Sequence, residues 1–372
     1  MESDQLQELE KIHPDHLVKV GITHGDINSI SYEIIIKTFS DQRIAESFTP
    51  ILYGQSKVAS YYRKMFNFNE LTFNLIKKAD TALPRRINII NCYEQEVKIE
   101  PGHSTETGGE LAYLSLKMAT EDLIKNQIDV LVTAPINKHN IQSKEFQFPG
   151  HTEYLASRFN AHSYLMMMVD QQLRIGIMTG HLPIREVAAS LTREMVLLKI
   201  RILYDSLVRD FGIRNPRIAV LGLNPHAGDQ GLLGTEDEQI ILLAIREMQE
   251  KQMLVFGPFS ADGFFGTYNH RHFDGVLAAY HDQGMIPFKT LAMETGVNYT
   301  AGLPFVRTSP AHGTAYDIAG KNEASPDSFR QALYLAVDIF NKRREYSEIT
   351  SNPLQKAAHP EDVSEQEQEE IH

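Results

Sequence analysis

The sequence predicts an α/β protein built on a largely parallel sheet. Two observations lead there. Six short, largely apolar segments recur along the chain, most running into a turn-rich stretch, and longer segments with helical periodicity lie between them. Strands alternating with helices are the mark of βα units, whose crossovers leave the sheet strands parallel.

In chain order, residues 17–23, 87–92, 129–134, 174–179, 217–223 and 275–280 read as buried strands. Each is too short for a helix of ordinary length and apolar enough to be covered on both faces. Residues 109–125 read as a helix: Leu111, Leu114 and Met118 share one face, and Leu116 and Leu123 form a second stripe, as in a helix covered on two sides. Residues 193–210 repeat Val196, Ile200, Leu203 and Leu207 at helical spacing. Thr235-Glu-Asp-Glu238 has the form of a capping box ahead of a helix over 240–248. Ser325-Pro-Asp places a cap residue before proline and opens a helix to about Lys342. Residues 1–16 are polar and read as a loose extension or a short helix; from about Ser351 the chain is acidic and reads as a solvated tail.

The length of 372 residues favours two domains. A composition 42% hydrophobic and 23% charged is that of a globular chain. A net charge of −12 argues against a nucleic-acid surface. The single cysteine, Cys92, excludes an intrachain disulfide and a thiolate zinc site. No run approaches the ~18 apolar residues of a membrane span, and the first residues lack the pattern of a signal peptide. The expectation is a cytoplasmic protein with no nucleic-acid or membrane partner.

Several common site motifs are missing: no G-x-G-x-x-G follows a strand, and there is no P-loop, nucleophile elbow or H-E-x-x-H helix. The 15 histidines are the better lead. His181, His226 and His281 each follow a predicted strand in a Gly- or Pro-rich loop, where ligands bind in open α/β sheets. Three imidazoles suit a divalent metal with an open position. Singly, each is better explained as a hydrogen-bonding loop residue. Asn269-His-Arg-His272 follows no strand and reads as a solvated loop. Lys289, Asn298 and Arg307 would suit a phosphate or carboxylate if they converge. His151 and Thr152 open a predicted helix, whose N-terminus favours an anion; the plainer reading is a helix cap. Between Ser309 and Gly320, His312 could stack on or bond an adenine, Gly313 permits close backbone approach and Asp317 could accept from a ribose hydroxyl. From these residues alone, a tight turn entering a helix is the better explanation of the segment.

Taken together and in order, Thr133-Ala-Pro-Ile-Asn-Lys138, Phe148-Pro-Gly-His-Thr-Glu153, His181-Leu-Pro-Ile-Arg185, Gly222-Leu-Asn-Pro-His-Ala-Gly228, Tyr280-His-Asp-Gln-Gly284 and Gly302-Leu-Pro-Phe-Val-Arg-Thr-Ser309 with His312-Gly-Thr-Ala315 make a chain that resembles the 4-hydroxythreonine-4-phosphate dehydrogenase (PdxA) family of pyridoxal-phosphate biosynthesis. The resemblance covers about residues 17–340. It implies an isopropylmalate dehydrogenase-like fold, with two α/β/α domains flanking a cleft. Residues 17–139 plus 288–350 would form the first domain, 140–287 the second, and 351–372 the acidic tail. It implies a metal on His181, His226 and His281, zinc first, with magnesium or cobalt as alternatives. It implies substrate contacts from His151, Thr152, Lys289, Asn298 and Arg307, and an NAD site (NADP the alternative) at His312, Gly313 and Asp317. It further implies a homodimer with its active site at the interface.

The implied reaction oxidises and decarboxylates 4-phosphooxy-L-threonine to 3-amino-2-oxopropyl phosphate and CO₂. Asp262 and Asp282 are candidate bases, each with the alternative role of orienting a histidine; His151 could polarise the hydroxyl instead. A phosphorylated threonate or erythronate is the alternative substrate, and a non-catalytic phospholigand binder the alternative class. One loop departs from the family pattern T-P-G-D-P-A-G-I-G-P-E: here it reads Thr23-His-Gly-Asp-Ile-Asn-Ser-Ile-Ser-Tyr-Glu33.

Overall fold

The computed structural model describes residues 17–352. The expected N-terminal extension and residues 353–372 of the expected tail lie outside the described residues. Twelve strands form one sheet: β1 (Lys19–Thr23), β2 (Thr49–Gly54), β3 (Asn74–Ile76), β4 (Asn88–Asn91), β5 (Val130–Thr133), β6 (Leu165–Val169), β7 (Arg174–Ile177), β8 (Ile218–Leu221), β9 (Val255–Phe259), β10 (Gly275–Ala278), β11 (Val297–Ala301) and β12 (Val306–Pro310). Their spatial order is β3-β4-β2-β1-β5-β12-β11-β6-β7-β10-β8-β9. The helices are α1 (Ser31–Phe39), α2 (Ser56–Met65), α3 (Glu106–Ile124), α4 (His151–Arg158), α5 (Ile184–Ser190), α6 (Arg193–Arg209), α7 (Leu242–Glu250), α8 (Ala261–Gly266), α9 (His281–Ala292) and α10 (Asp327–Thr350).

The α/β fold expected from the alternation is the one observed, and all six predicted strands are present. Strands β3 to β5 and β12 run parallel with β1 and β2, and β7 to β10 form a second parallel set. Between the sets, β12–β11, β11–β6 and β6–β7 pair antiparallel. Three reversals leave the two parallel sets running in opposite directions.

Helix α3 starts three residues before its predicted start because Thr105 caps it, its hydroxyl accepting from Gly108 N at 3.0 Å. Leu111 and Leu114 pack on one buried cluster and Leu116 and Leu123 on another, as the two stripes predict, whereas Met118, read with the first stripe, packs on the second cluster. Gly109 is required there, since a Cβ would collide with the Asn140 carbonyl oxygen. The expected capping box at Thr235 does not form. The chain instead enters α7 through a wide turn at Asp237–Ile241, because the buried Asp237 carboxylate accepts from the N–H groups of Leu223 and Asn224 at 2.7 and 3.1 Å. Ser325 does accept from Asp327 N at 3.2 Å. Helix α10 then runs past Lys342 to Thr350. Its buried Arg343 bonds Asp210 at 2.8 Å and the Tyr299 hydroxyl at 2.9 Å, which keeps this stretch packed on the sheet.

Candidate active site

The central antiparallel strands alternate in what they face. Met167, Val297, Tyr299 and Val306 point into the largest buried cluster. Met166, Met168, Asn298, Arg307 and Ser309 line a cavity of about 280 Å³ on the other face. Thr133 at the end of β5, His151 and Thr152 at the start of α4, and Met285 and Lys289 on α9 complete much of its wall.

Arg307 is 3% exposed. Its Nε and Nη2 both donate to the Thr133 hydroxyl, at 3.1 and 2.6 Å. Burial lowers its pKa to about 10, and Glu153 only partly offsets this. A guanidinium so buried, with a neutral hydroxyl as its hydrogen-bond partner and Glu153 as a partial counter-charge, is left short of a full balancing anion. Lys138 and Lys289 line the same cavity. The N-terminus of α4 opens onto it after Gly150, with no side-chain cap. These features suit a phosphate.

His151 is held neutral, far below the usual imidazole range, first by burial and then by the charges of Arg307 and Lys138. Its Nε2 is buried without a hydrogen-bond partner, as is Oδ1 of Asn298. Buried polar atoms normally have partners, so both are available to a group bound in the cavity they line.

His181 and His281 meet at this cavity, their ring centroids 5.2 Å apart. Partial burial lowers the His181 pKa, with Lys138 and His281 acting in the same direction. Asp282 lies 2.7 Å from Nδ1 of His281, which leaves Nε2 as the free donor. An imidazole whose other nitrogen is held by a carboxylate, as in His281, is a fitting donor for a divalent metal. His226 is not with them. It is exposed on a left-handed turn within Pro225–Gly231, where it lowers the pKa of Asp262 after the larger effect of the Ser260 hydroxyl. Among the described residues no three His, Cys, Asp or Glu side chains converge as metal ligands.

His312 and Gly313 reach the cavity wall. His312 Nε2 is buried without a partner, and a Cβ on Gly313 would meet nothing within 4 Å. Asp317, Asp262 and Asp282 are exposed and lie outside this wall. Lys138 and Glu153 line it without having been singled out from the sequence, although both end motifs quoted above.

Residues 46–336 match the family model described as pyridoxal phosphate biosynthetic protein PdxA. The chain is 52% identical over 343 residues to a 4-hydroxythreonine-4-phosphate dehydrogenase of Bacteroides thetaiotaomicron, covering 92% of this chain and 94% of that one. It is 34% identical to a D-threonate 4-phosphate dehydrogenase of Pectobacterium atrosepticum, covering 86% and 98%. The crystal structure of a 4-hydroxythreonine-4-phosphate dehydrogenase from Klebsiella pneumoniae superposes with a TM-score of 0.74 at 32% identity, covering 88% of this chain and 99% of that one.

Proposed function

The chain belongs to the PdxA family, and from that premise we propose that it is an NAD-dependent, metal-dependent dehydrogenase that oxidises and decarboxylates 4-phosphooxy-L-threonine to 3-amino-2-oxopropyl phosphate and CO₂. The observation that carries the proposal is the buried Arg307, only partly balanced by Glu153, beside Lys138, Lys289 and the open end of α4. Arg307 and Lys289 neutralise the substrate phosphate, while Thr152 and Asn298 orient it. Neutral His151 offers Nε2 to the reacting hydroxyl. Asp282 orients His281, and Asp262 faces His226. His181, His226 and His281 would hold a divalent metal, zinc first, which supplies a Lewis acid for the hydroxyl and the developing enolate. His312, Gly313 and Asp317 would hold NAD, the hydride acceptor.

The separation of His226 from the other two histidines supports a homodimer that completes the site at its interface. Ile184, Leu232 and Ile286 flank these histidine loops and are 72%, 79% and 65% exposed, the apolar surface a second copy would cover. We also propose that 17–139 with 288–350 form one domain and 140–287 the other. The division is supported by the β11–β6 ladder, at which strands from the two segments meet. No described helix is long and apolar enough to cross a membrane, which is compatible with the proposed cytoplasmic location.

The deciding experiment is NADH formation from 4-phosphooxy-L-threonine and NAD, with and without a chelator. Chelator-sensitive NADH supports the proposal. Silence with metal restored, but activity on D-threonate 4-phosphate, would install the second reading that the Pectobacterium relative favours.

A further inference from the structure

The loop that departs from the family pattern is not a surface variation. Asp26 is fully buried. Its Oδ1 accepts from Asn28 N at 2.8 Å, and its Oδ2 accepts from Asn140 Nδ2 and the Tyr316 hydroxyl, both at 2.8 Å. Ile30 N donates to Thr314 O at 3.2 Å. Glu33 Oε1 accepts from Ala324 N at 2.8 Å. Lys37, bonded to Glu33 at 2.8 Å, also donates to the carbonyls of Asn322 and Ala324 at 2.9 and 2.8 Å.

Residues 26–37 therefore hold positions 314, 316, 322 and 324. Those points bracket Asp317 and follow directly on His312 and Gly313. The departing residue Asn28 braces the far side. Its carbonyl accepts from Gly102 N at 2.8 Å and its Oδ1 from Glu100 N at 2.7 Å. Pro101, between these two, packs so close to Gly320 that a Cβ there would lie 2.9 Å from it. Tyr316 is the sole side chain of the nucleotide segment that reaches Asp26 directly, and burial together with Asp26 raises its pKa to about 12, so its hydroxyl stays a donor.

We propose that residues 26–37 are a positioning device for the nucleotide segment, with Asp26 setting dinucleotide affinity through the Tyr316 hydroxyl while touching no nucleotide itself. The proposal rests on the reading of residues 312–320 as the NAD site. A buried carboxylate stays in place only while its donors do, so loss of the Tyr316 bond releases the middle of the segment although its two ends remain tied.

The test is NADH binding to the full-length protein, followed by fluorescence, in wild type, Tyr316→Phe, Asp26→Asn and the double variant. Each single change is expected to weaken NADH binding roughly tenfold, the size expected for one hydrogen bond to a charged group. The double variant is expected to be no weaker than Asp26→Asn alone, because the bond that Tyr316→Phe removes is already lost with the carboxylate. The KM for NAD should rise while kcat and the KM for the phosphorylated substrate hold, a split that general loosening of the fold would not produce. If NADH binds the single variants as it binds wild type, or if the two losses add, the proposal is overturned and the NAD site stands. If wild type itself binds no NADH, the NAD reading falls and the proposal with it. Should Asp26→Asn fail to fold, Tyr316→Phe alone decides, since it removes one oxygen from a half-buried ring.

Discussion

His281 faces His181 at a centroid distance of 5.2 Å while its own Nδ1 is occupied by Asp282 at 2.7 Å. The two imidazoles lie side by side in the cavity wall, and the third expected donor, His226, sits elsewhere on the same chain. A metal bound across two subunits would reconcile these facts, and it makes a sharp prediction. His181→Ala and His226→Ala should each lose bound metal and activity. Unfolded and refolded together, they should regain about a quarter of wild-type activity, since half of the dimers are hybrids with one intact site of two. No recovery in the mixture would place all three ligands on one chain.

Arg307→Ala should lower kcat/KM on the order of a hundredfold, from ~3 kcal/mol for a buried charge that meets an anion. Inhibition by inorganic phosphate should weaken in parallel. Arg307→Met should do the same to activity yet raise the melting temperature of the ligand-free protein, because it removes a buried cation that the resting fold leaves only partly balanced. A lower melting temperature for Arg307→Met would show that Arg307 serves the fold first.

His24 should make the protein acid-sensitive. It is fully buried, stacked on Tyr32 at 5.4 Å and edge-on to Tyr93 at 6.0 Å, and burial lowers its pKa to about 4. The folded pKa lies below the unfolded value of about 6.5, so the unfolded chain takes up the proton first. Its contribution is intact above about pH 6.5 and is lost as pH falls toward 4, amounting to about 3 kcal/mol at most. His24→Phe should flatten the urea midpoint across that window relative to wild type. An unchanged slope would assign the acid response to His151 and His312, which burial also keeps neutral.

Arg343→Leu should destabilise the protein by about 3–5 kcal/mol, the cost of leaving one half of a buried ion pair behind. Burial pushes the Asp210 carboxyl up, but Arg343 and Arg209 together hold it well below the usual carboxylate range. Tyr299 also donates to it. Urea unfolding at neutral pH measures the effect, and a loss under about 1 kcal/mol would mean that the pair is as inconsequential as a surface one.

Much of the frame was legible because β1, β4, β5, β7, β8 and β10 lie inside parallel sets and are apolar on both faces. The loops that follow β7, β8 and β10 could be read as ligand-bearing for the same reason. Strands β6, β11 and β12 escaped notice because one face of each serves the cavity. Asn298, Arg307 and Ser309 give these segments a loop-like composition, and the Met166–Met168 run has no alternation to detect. The Asp26–Tyr316 bond joins residues 290 positions apart, beyond any local pattern. Lys138 ended a motif that could be quoted without saying where its ammonium pointed.

The alternation of β6, β11 and β12 makes the site a matter of parity. Met166 and Met168, Asn298, Arg307 and Ser309 face the cavity, while Met167, Val297, Tyr299 and Val306 face the core. One residue inserted into or deleted from any of these strands would trade the two sets. The guanidinium would be driven into hydrocarbon and a tyrosine or valine set where the phosphate is proposed to sit. Evolution can therefore retune this pocket freely by exchanging side chains at positions of the right parity, but it cannot change the length of these three strands by a single residue without dismantling pocket and core together.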